Sequence, residues 1–444
     1  MIESGAIMKR SHLLTTMILV ALMAYGWFGA VTGSGDSDRA SFVSYMESAK
    51  EYLKRGLYWR SGQEYMEALR FDGKEADWAA MLEAFRTSYE QGDDCFNEYL
   101  EAAEGAVSAF ADNEDFVLQL ASLYVQDESY DKAVRVLRNA VDAGADSEQV
   151  CSKLNDVQYS FEYFWSAFDE VQPCVHNTFL VRQHEEWYYV TADGSTERFK
   201  NSQNLGPMGE DGIRPIYMNG SLILCDEEGV PQGIIHEEVE QIGVYAEGLI
   251  PVRINGTWSY YDLIGDLKFG GFSEAGSFVD GKAAVKSGDS WFLIDTEGKK
   301  TDDGTFEHIV LGKDGGWMCE HIMIAKKDGA YHLFDEDCKQ IGSFSCDGID
   351  SVMDDGLIAF RSGGKWGYVD HKGKVVTEPS YQEARSFSNG LAAVSNGTHW
   401  GFVDESFTLV IDHQFLDVGY FTEEGSCTVK DSENWKLIVC NVWD

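Results

Sequence analysis

Three rhythms of apolar and polar positions divide this chain. Leu13 to Val31 is an unbroken apolar run with no charged residue. Residues 41–170 are poor in glycine and turn dipeptides, and their apolar residues recur at helical spacing. From about Asn177 the pattern changes to short β-rich runs separated by glycine turns. The boundaries expected from these rhythms are a short N-terminal stretch (1–12), a membrane-spanning helix (13–31), a linker (32–42), a helical domain (43–172) and a β-repeat domain (175–444).

In the helical part, Leu120-Ala121, Tyr124, Tyr130, Ala133, Leu137 and Ala140 alternate small and large residues so that two helices can approach closely. Ala49, Tyr52, Tyr58, Ser61, Tyr65 and Ala68-Leu69 repeat that spacing 72 residues earlier. A weaker middle unit fits around Ala84, Phe96, Leu100 and Ala103, and a last helix near Val150 to Phe168 is expected to close the stack. This spacing resembles three degenerate tetratricopeptide units, without their usual prolines and first-helix tryptophan. The resemblance concerns packing, not chemistry.

The β part repeats about every 35 residues. GLIAFRSGGKWGYVDHKGKVV, from Gly356, aligns with GLAAVSNGTHWGFVDESFTLV, from Gly390. Equivalent positions are Trp187, Leu222, Trp258, Trp291, Tyr331, Trp366, Trp400 and Trp435, with steps of 35, 36, 33, 40, 35, 34 and 35 residues. Ten residues earlier stands Gly212, Gly248, Gly281, Gly356, Gly390 or Gly425. Four residues later stands Asp226, Asp262, Asp295, Asp335, Asp370 or Asp404, and seven later Gly194, Gly229, Gly265, Gly298 or Gly373. An Asp-x-x-Gly such as Asp370-His371-Lys372-Gly373 suits a type I turn, with the Asp side chain accepting from the backbone two residues on. Asn219-Gly220 and Asn255-Gly256 supply the positive φ of a two-residue hairpin. Each unit therefore reads as strand, tight turn, Trp-bearing strand, Asp turn and a short third strand. The tryptophans, recurring at one structural position, are expected to be buried anchors.

The pairs Trp366-Gly367 and Trp400-Gly401, with the flanking Gly-Leu-x-x-Val and Tyr/Phe-Val-Asp residues, resemble the WG-repeat family over about 265 residues. Leu222 and Tyr331 depart from the tryptophan, and units 3, 4 and 8 lack the second glycine. The resemblance implies an interaction module. Seven or eight such units close into a propeller-like ring or stay open as a β solenoid. Closure removes sheet edges and so favours the ring. Against it, the last unit ends soon after Trp435 without a third strand, and no terminal strand obviously supplies one. The fold class expected is thus multidomain: a transmembrane helix, all-α tetratricopeptide-like repeats, then an all-β repeat array.

Topology follows from Lys9 and Arg10, which precede the apolar run. Its 19 residues span roughly 28 Å, one hydrocarbon core. The positive-inside rule then places the C-terminal bulk outside the cytoplasm. A signal peptide cleaved near Ala30 to Gly33 is the rival, and the length of the run favours the anchor. The net charge of −40 repels phosphate backbones and excludes nucleic acid as a partner. Nine cysteines with no CxxC and no regular spacing do not resemble a disulfide framework, and for an exported chain one or two long-range disulfides stay open.

Catalytic motifs are lacking. His236-Glu237-Glu238-Val239-Glu240 has no second histidine for a zinc-protease helix, and neither Gly-x-Ser-x-Gly nor a phosphate-binding loop occurs. Asp226-Glu227-Glu228 and Asp302-Asp303 are explained as turn residues. No catalytic, cofactor or metal residues are expected. The residues singled out are the repeat anchors Trp187, Trp258, Trp291, Tyr331, Trp366, Gly367, Asp370, Gly373, Trp400, Gly401, Asp404 and Trp435. The expectation is a non-enzymatic, membrane-anchored scaffold that binds protein, peptide or cell-wall polymer. The alternative is a hydrolase acting on cell-wall glycan or peptide.

Overall fold

The structure, a computed structural model, describes residues 35–199, 202–354 and 356–443. The apolar run Leu13–Val31 lies outside them. Among the described residues no helix is long and apolar enough to cross a membrane. The chain divides into two compact units, with the boundary at Cys151/Ser152.

The first unit is helical: α1 (Gly35–Lys54), α2 (Tyr58–Leu69), α3 (Glu75–Glu90), α4 (Phe96–Ala109), α5 (Glu114–Gln126), α6 (Tyr130–Asp142) and α7 (Glu148–Gln158), which runs across the boundary. The three expected units fall on the pairs α1–α2, α3–α4 and α5–α6. Their small residues Ala49, Ser61, Ala84, Ala103, Ala121 and Ala133 are all buried. Ser61 Oγ donates to the Ala49 carbonyl at 2.8 Å, satisfying a polar group at a helix crossing. A Cβ on Gly62 would come within 2.9 Å of the Phe85 ring, so α2 and α3 pack too closely for a larger residue. Asn113 caps α5 by accepting from the Phe116 N–H at 3.0 Å.

Two expectations are corrected here. The linker ends early, because α1 begins at Gly35. The last helix stops at Gln158, and Phe161–Phe168 is a strand, β1, rather than its continuation. The aromatic-rich run Phe-Glu-Tyr-Phe favours extended backbone once a sheet edge is available to pair with it. That edge is Trp435–Cys440, at the far end of the chain, so no local pattern announced it.

The second unit contains eight sheets of consecutive antiparallel strands. Blade 7 is typical: Glu383–Ala384, Leu391–Ser395, Trp400–Asp404 and Leu409–Phe415. Blades 4 and 5 have three named strands, with isolated bridges such as Trp291–Phe306 and Tyr331–Cys346 continuing the fourth. Blade 8 takes its outermost strand from β1, in the order β1, Trp435–Cys440, Ser426–Lys430, Asp417–Val418. The third strand missing from the last repeat is thus supplied by the start of the unit.

Packing settles ring against open array. Eight apolar clusters each join two consecutive blades. Leu391, Phe402 and Phe415 of blade 7 meet Phe421 and Cys427 of blade 8. Leu437 and Phe168 of blade 8 meet Phe179, Tyr188 and Val190 of blade 1. With the eighth seam present, the unit is a closed eight-bladed β-propeller. Because both faces of each blade are covered, second strands such as Leu391–Ser395 are buried throughout rather than alternating.

Candidate functional site

The repeat anchors occupy equivalent places in their blades. Trp187, Trp258, Tyr331, Trp366, Trp400 and Trp435 are half-buried, and Trp291 is 1 % exposed. Each stands at the start of the third strand, opposite Arg182, Arg253, Lys326, Arg361, Ser395, Lys430 and Lys286 respectively. Arg182 lies over the Trp187 ring at 5.7 Å and pairs with Glu170 at 2.9 Å; Arg361 pairs with Asp347 at 2.9 Å. Two residues further on lies a side chain no more than 1 % exposed: Tyr260, Leu293, Leu333, Tyr368, Phe402 or Leu437. Except at Trp291, the greater burial belongs to this position, while the anchor aromatic closes the strand end between a cation and solvent.

The turn residues act as their chemistry requires. Asp370 Oδ1 accepts from the Lys372 and Lys374 N–H groups at 2.9 and 2.8 Å, and Asp404 Oδ1 from Ser406 and Thr408 at 3.0 and 2.9 Å. Gly373 has φ +76°, and its equivalent Phe407 holds φ +63° while its ring packs on Tyr368 and Phe387. Gly367 and Gly401 have another role. A Cβ there would meet the carbonyl oxygens of Thr377 and Ile411 at 2.5 Å, where the fourth strand bulges inward.

These anchors are structural and similar in every blade. The blades differ where the repeat breaks. The residue just after the first strand donates its N–H to the second strand. Gly206, Gly243, Gly276 and Gly419 do so to Pro215, Pro251, Ala284 and Thr428 at 2.8, 2.8, 2.8 and 2.6 Å. Cβ atoms on them would clash at 2.4–2.9 Å with neighbours other than the most flexible side chains: Pro215, Pro251, the Gly315 carbonyl and Thr428. In three blades the same backbone bond is made instead by Gln172, Asp350 and Arg385. Three polar side chains thus replace glycine on the first, axis-proximal strand.

They join a cluster. Arg385 Nη2 donates to Asp417 Oδ1 at 2.9 Å, and its guanidinium lies over the Trp400 and Tyr420 rings at 5.3 and 5.4 Å. The Tyr420 hydroxyl is 2.9 and 2.8 Å from the two Asp350 oxygens, and Asp350 Oδ2 also accepts from the Ser386 N–H at 2.8 Å. Burial, and then the Asp350 carboxylate, push the Tyr420 pKa up, so the hydroxyl stays a donor. Arg385 keeps its charge: burial opposes it, and Tyr420, Asp417 and Asp350 more than offset that.

A second irregularity completes the site. Twelve residues separate Val310 from Met323 in blade 5, against six between Ala275 and Lys282 in blade 4. The extra loop is pinned by Trp317, 2 % exposed, whose Nε1 donates to the Val279 carbonyl at 2.9 Å. The Ser277 N–H donates to the Gly315 carbonyl at 2.8 Å, and the Gly312 N–H to that of Gly316 at 2.8 Å. At its exposed tip, Lys313 lines one cavity of about 220 Å³ together with Gln172, Cys174, Arg385, Asp417 and Tyr420. Blade 5 stands four places round an eight-bladed ring from blade 1, so the loop reaches across the axis. Burial pushes the Cys174 thiol up to about 12, so it is a neutral wall of the cavity. A larger cavity of about 550 Å³ lies at the seam of blades 1 and 2. Its cation Arg214 is already engaged by Glu197 at 2.6 Å and by the Gly212 carbonyl at 2.8 Å.

Sequence reasoning missed Gln172, Lys313, Asp350, Arg385, Asp417 and Tyr420. The available signal was the step of 40 residues from Trp291 to Tyr331 among steps of 33 to 36, which marks the inserted loop.

The fold and these sites define a repeat-built, eight-bladed β-propeller joined to a helical unit. Within it, the family described as WG containing repeat matches residues 366–397 and 400–435. No curated protein matches the chain. Among solved structures, Kluyveromyces lactis Hsv2 shares 10 % identity over 59 % of this chain and 93 % of that one, with a TM-score of 0.34. The Neurospora crassa Pan2 WD40 domain shares 11 % over 53 % and 87 %, with a TM-score of 0.31. The dihydro-heme d1 dehydrogenase NirN in complex with DHE shares 12 % over 65 % and 80 %, with a TM-score of 0.38. The propeller assignment rests on the chain's own sheet order and seams.

Proposed function

We propose that this protein is a non-enzymatic scaffold whose propeller receives a segment of a protein or peptide partner in its axial cavity. The observation that carries this reading is the local loss of repeat symmetry. Eight blades need only the repeated anchors to close, yet blades 1, 6 and 7 carry polar side chains where blades 2, 3, 4 and 8 have glycine, and blade 5 adds a pinned loop. A concave pocket with a few convergent polar groups on apolar walls is the usual form of a recognition site. The cluster's carboxylates support binding over catalysis: Asp417 is held by Arg385, and Asp350 by Tyr420 and the Ser386 N–H. The helical unit, read as tetratricopeptide-like, adds a second surface. There Met66, Trp78 and Met81 line a cavity of about 260 Å³. Lys9, Arg10 and the run Leu13–Val31 support an anchor that presents both units outside the cytoplasm.

Two experiments test this. A pull-down with the full chain should recover partners that are lost on Arg385→Ala; identical recoveries from both proteins would remove the axial cavity as the site. Protease added to intact cells should degrade the propeller while a cytosolic marker survives; protection of both would overturn the topology.

A further inference from the structure

We infer that the axial cavity recognises a single carboxylate carried on a partner peptide, held between Lys313 and Arg385. This rests on the scaffold reading above and specifies its ligand. The argument is one of satisfaction. The acidic groups of the cavity already have donors: Asp417 has Arg385 at 2.9 Å, and Asp350 has Tyr420 at 2.8 Å and the Ser386 N–H at 2.8 Å. The two basic groups keep unused donors. Among the described residues the Lys313 ammonium has no hydrogen-bond or ion-pair partner, and Arg385 Nε is buried without an acceptor. The buried Arg385 Nε lacks an acceptor, which is unfavourable, and the exposed Lys313 ammonium at the cavity mouth is free to pair, so one carboxylate engages both.

The surroundings sharpen the choice. In four other blades the cation opposite the anchor is neutralised within its own blade: Arg182 by Glu170, Arg253 by Glu240, Lys286 by Glu274 and Arg361 by Asp347. In blade 7 that place is taken by Ser395, and the cation over Trp400 comes from the first strand as Arg385. Val171, Pro173, Phe179 and Phe421 give the cavity apolar walls. A volume of about 220 Å³ admits one or two side chains. The overall charge of −40 repels a polyanion over its whole approach. One carboxylate on a largely apolar residue therefore fits better than a phosphate-rich ligand. A chain terminus and a Glu or Asp side chain offer the same group.

The test uses the full chain and a panel of N-acetylated apolar tripeptides in three forms: free C-terminal acid, C-terminal amide, and amide with a central Glu. Binding is read by isothermal titration calorimetry. Saturable binding of the acid form alone identifies a chain terminus, and binding of the Glu form as well identifies a side chain. Lys313→Gln, at an exposed loop tip, should weaken that binding at least tenfold with unchanged circular dichroism, and Lys313→Arg should retain it. Equal affinity for acid and plain amide, or full affinity in Lys313→Gln, overturns the carboxylate and leaves peptide recognition standing. If no form binds and the pull-down is indifferent to Arg385→Ala, both readings fall together.

Discussion

The second residue of the WG pair shows how one position is governed by a neighbouring strand. Gly367 and Gly401 are buried at ordinary negative φ, so conformational freedom does not explain them. The bulged fourth strand does, through the carbonyls of Thr377 and Ile411 at 2.5 Å from a built Cβ. Blade 3 solves the same problem in reverse. Ser259 replaces the glycine, and the facing residue of the fourth strand is Gly270, where a Cβ would come within 2.0 Å of Ser259 Oγ. Gly401→Ala and Gly270→Ala should therefore each destabilise the propeller by about 1–3 kcal/mol through overpacking, while Ser259→Gly is tolerated. Chemical denaturation of the three variants reads this directly. The same reasoning reorders the aromatic anchors. Phe402, 1 % exposed, should lose about 3–5 kcal/mol on truncation to alanine, and half-buried Trp366 clearly less. Equal losses would place the tryptophans in the core after all.

Strand β1 decides whether the propeller closes. It pairs with Trp435–Cys440 from Phe161↔Cys440 to Phe168↔Trp435, with one irregularity between Phe164 and Ala167. It also touches both neighbours. Phe161 packs on Phe415 of blade 7 at 6.0 Å, and Phe168 on Tyr188 of blade 1 at 6.2 Å. A Cβ on Gly194 would strike the Phe164 ring at 2.1 Å, so blade 1 fits directly over β1. A fragment beginning at Asp169 keeps every repeat anchor and the first strand of blade 1, Glu170–Val171, yet lacks this strand. It exposes the backbone edge of Trp435–Cys440 and the apolar seam beneath. Such a fragment should self-associate and melt well below one beginning at Tyr159, by size exclusion and calorimetry. Matching melts would mean that the ring closes without β1.

For the whole ring, the eight inter-blade seams make folding of one blade depend on the next. The fragment from Tyr159 should scatter with a radius of gyration of about 19 Å, as a compact body of its length does. All nine cysteines are unpaired, and Cys95, Cys225, Cys346, Cys427 and Cys440 are buried. Burial pushes the thiols of Cys174, Cys346 and Cys440 up to about 12, and those of Cys319 and Cys338 up to about 11. An unfolded thiol ionises near 8.5. These groups bind protons more tightly in the folded state, so their contribution is complete below about pH 8.5 and is lost as the pH rises towards 11–12. Stability should fall across that window. At pH 8 a thiol reagent should label the native protein slowly, reaching nine equivalents only after denaturation.

The sequence alone determined the local chemistry and its period. Turn residues, anchors and helix-crossing alanines act within a few residues of themselves, so spacing was enough to count seven or eight β units and to place three helix pairs. The Asp-x-x-Gly turns and the small residues at Ser61, Ala121 and Ala133 stand as that spacing implies. Only the tertiary structure decided the rest, because the deciding partners are distant along the chain. Phe161–Phe168 becomes a strand through an edge some 270 residues away. The eighth seam turns an array into a ring. The axial cluster draws Gln172, Lys313, Arg385 and Tyr420 from four blades, each unremarkable in its own repeat. A periodic sequence records what every unit shares, whereas a site on the axis is made where units differ, and closure brings those differences together.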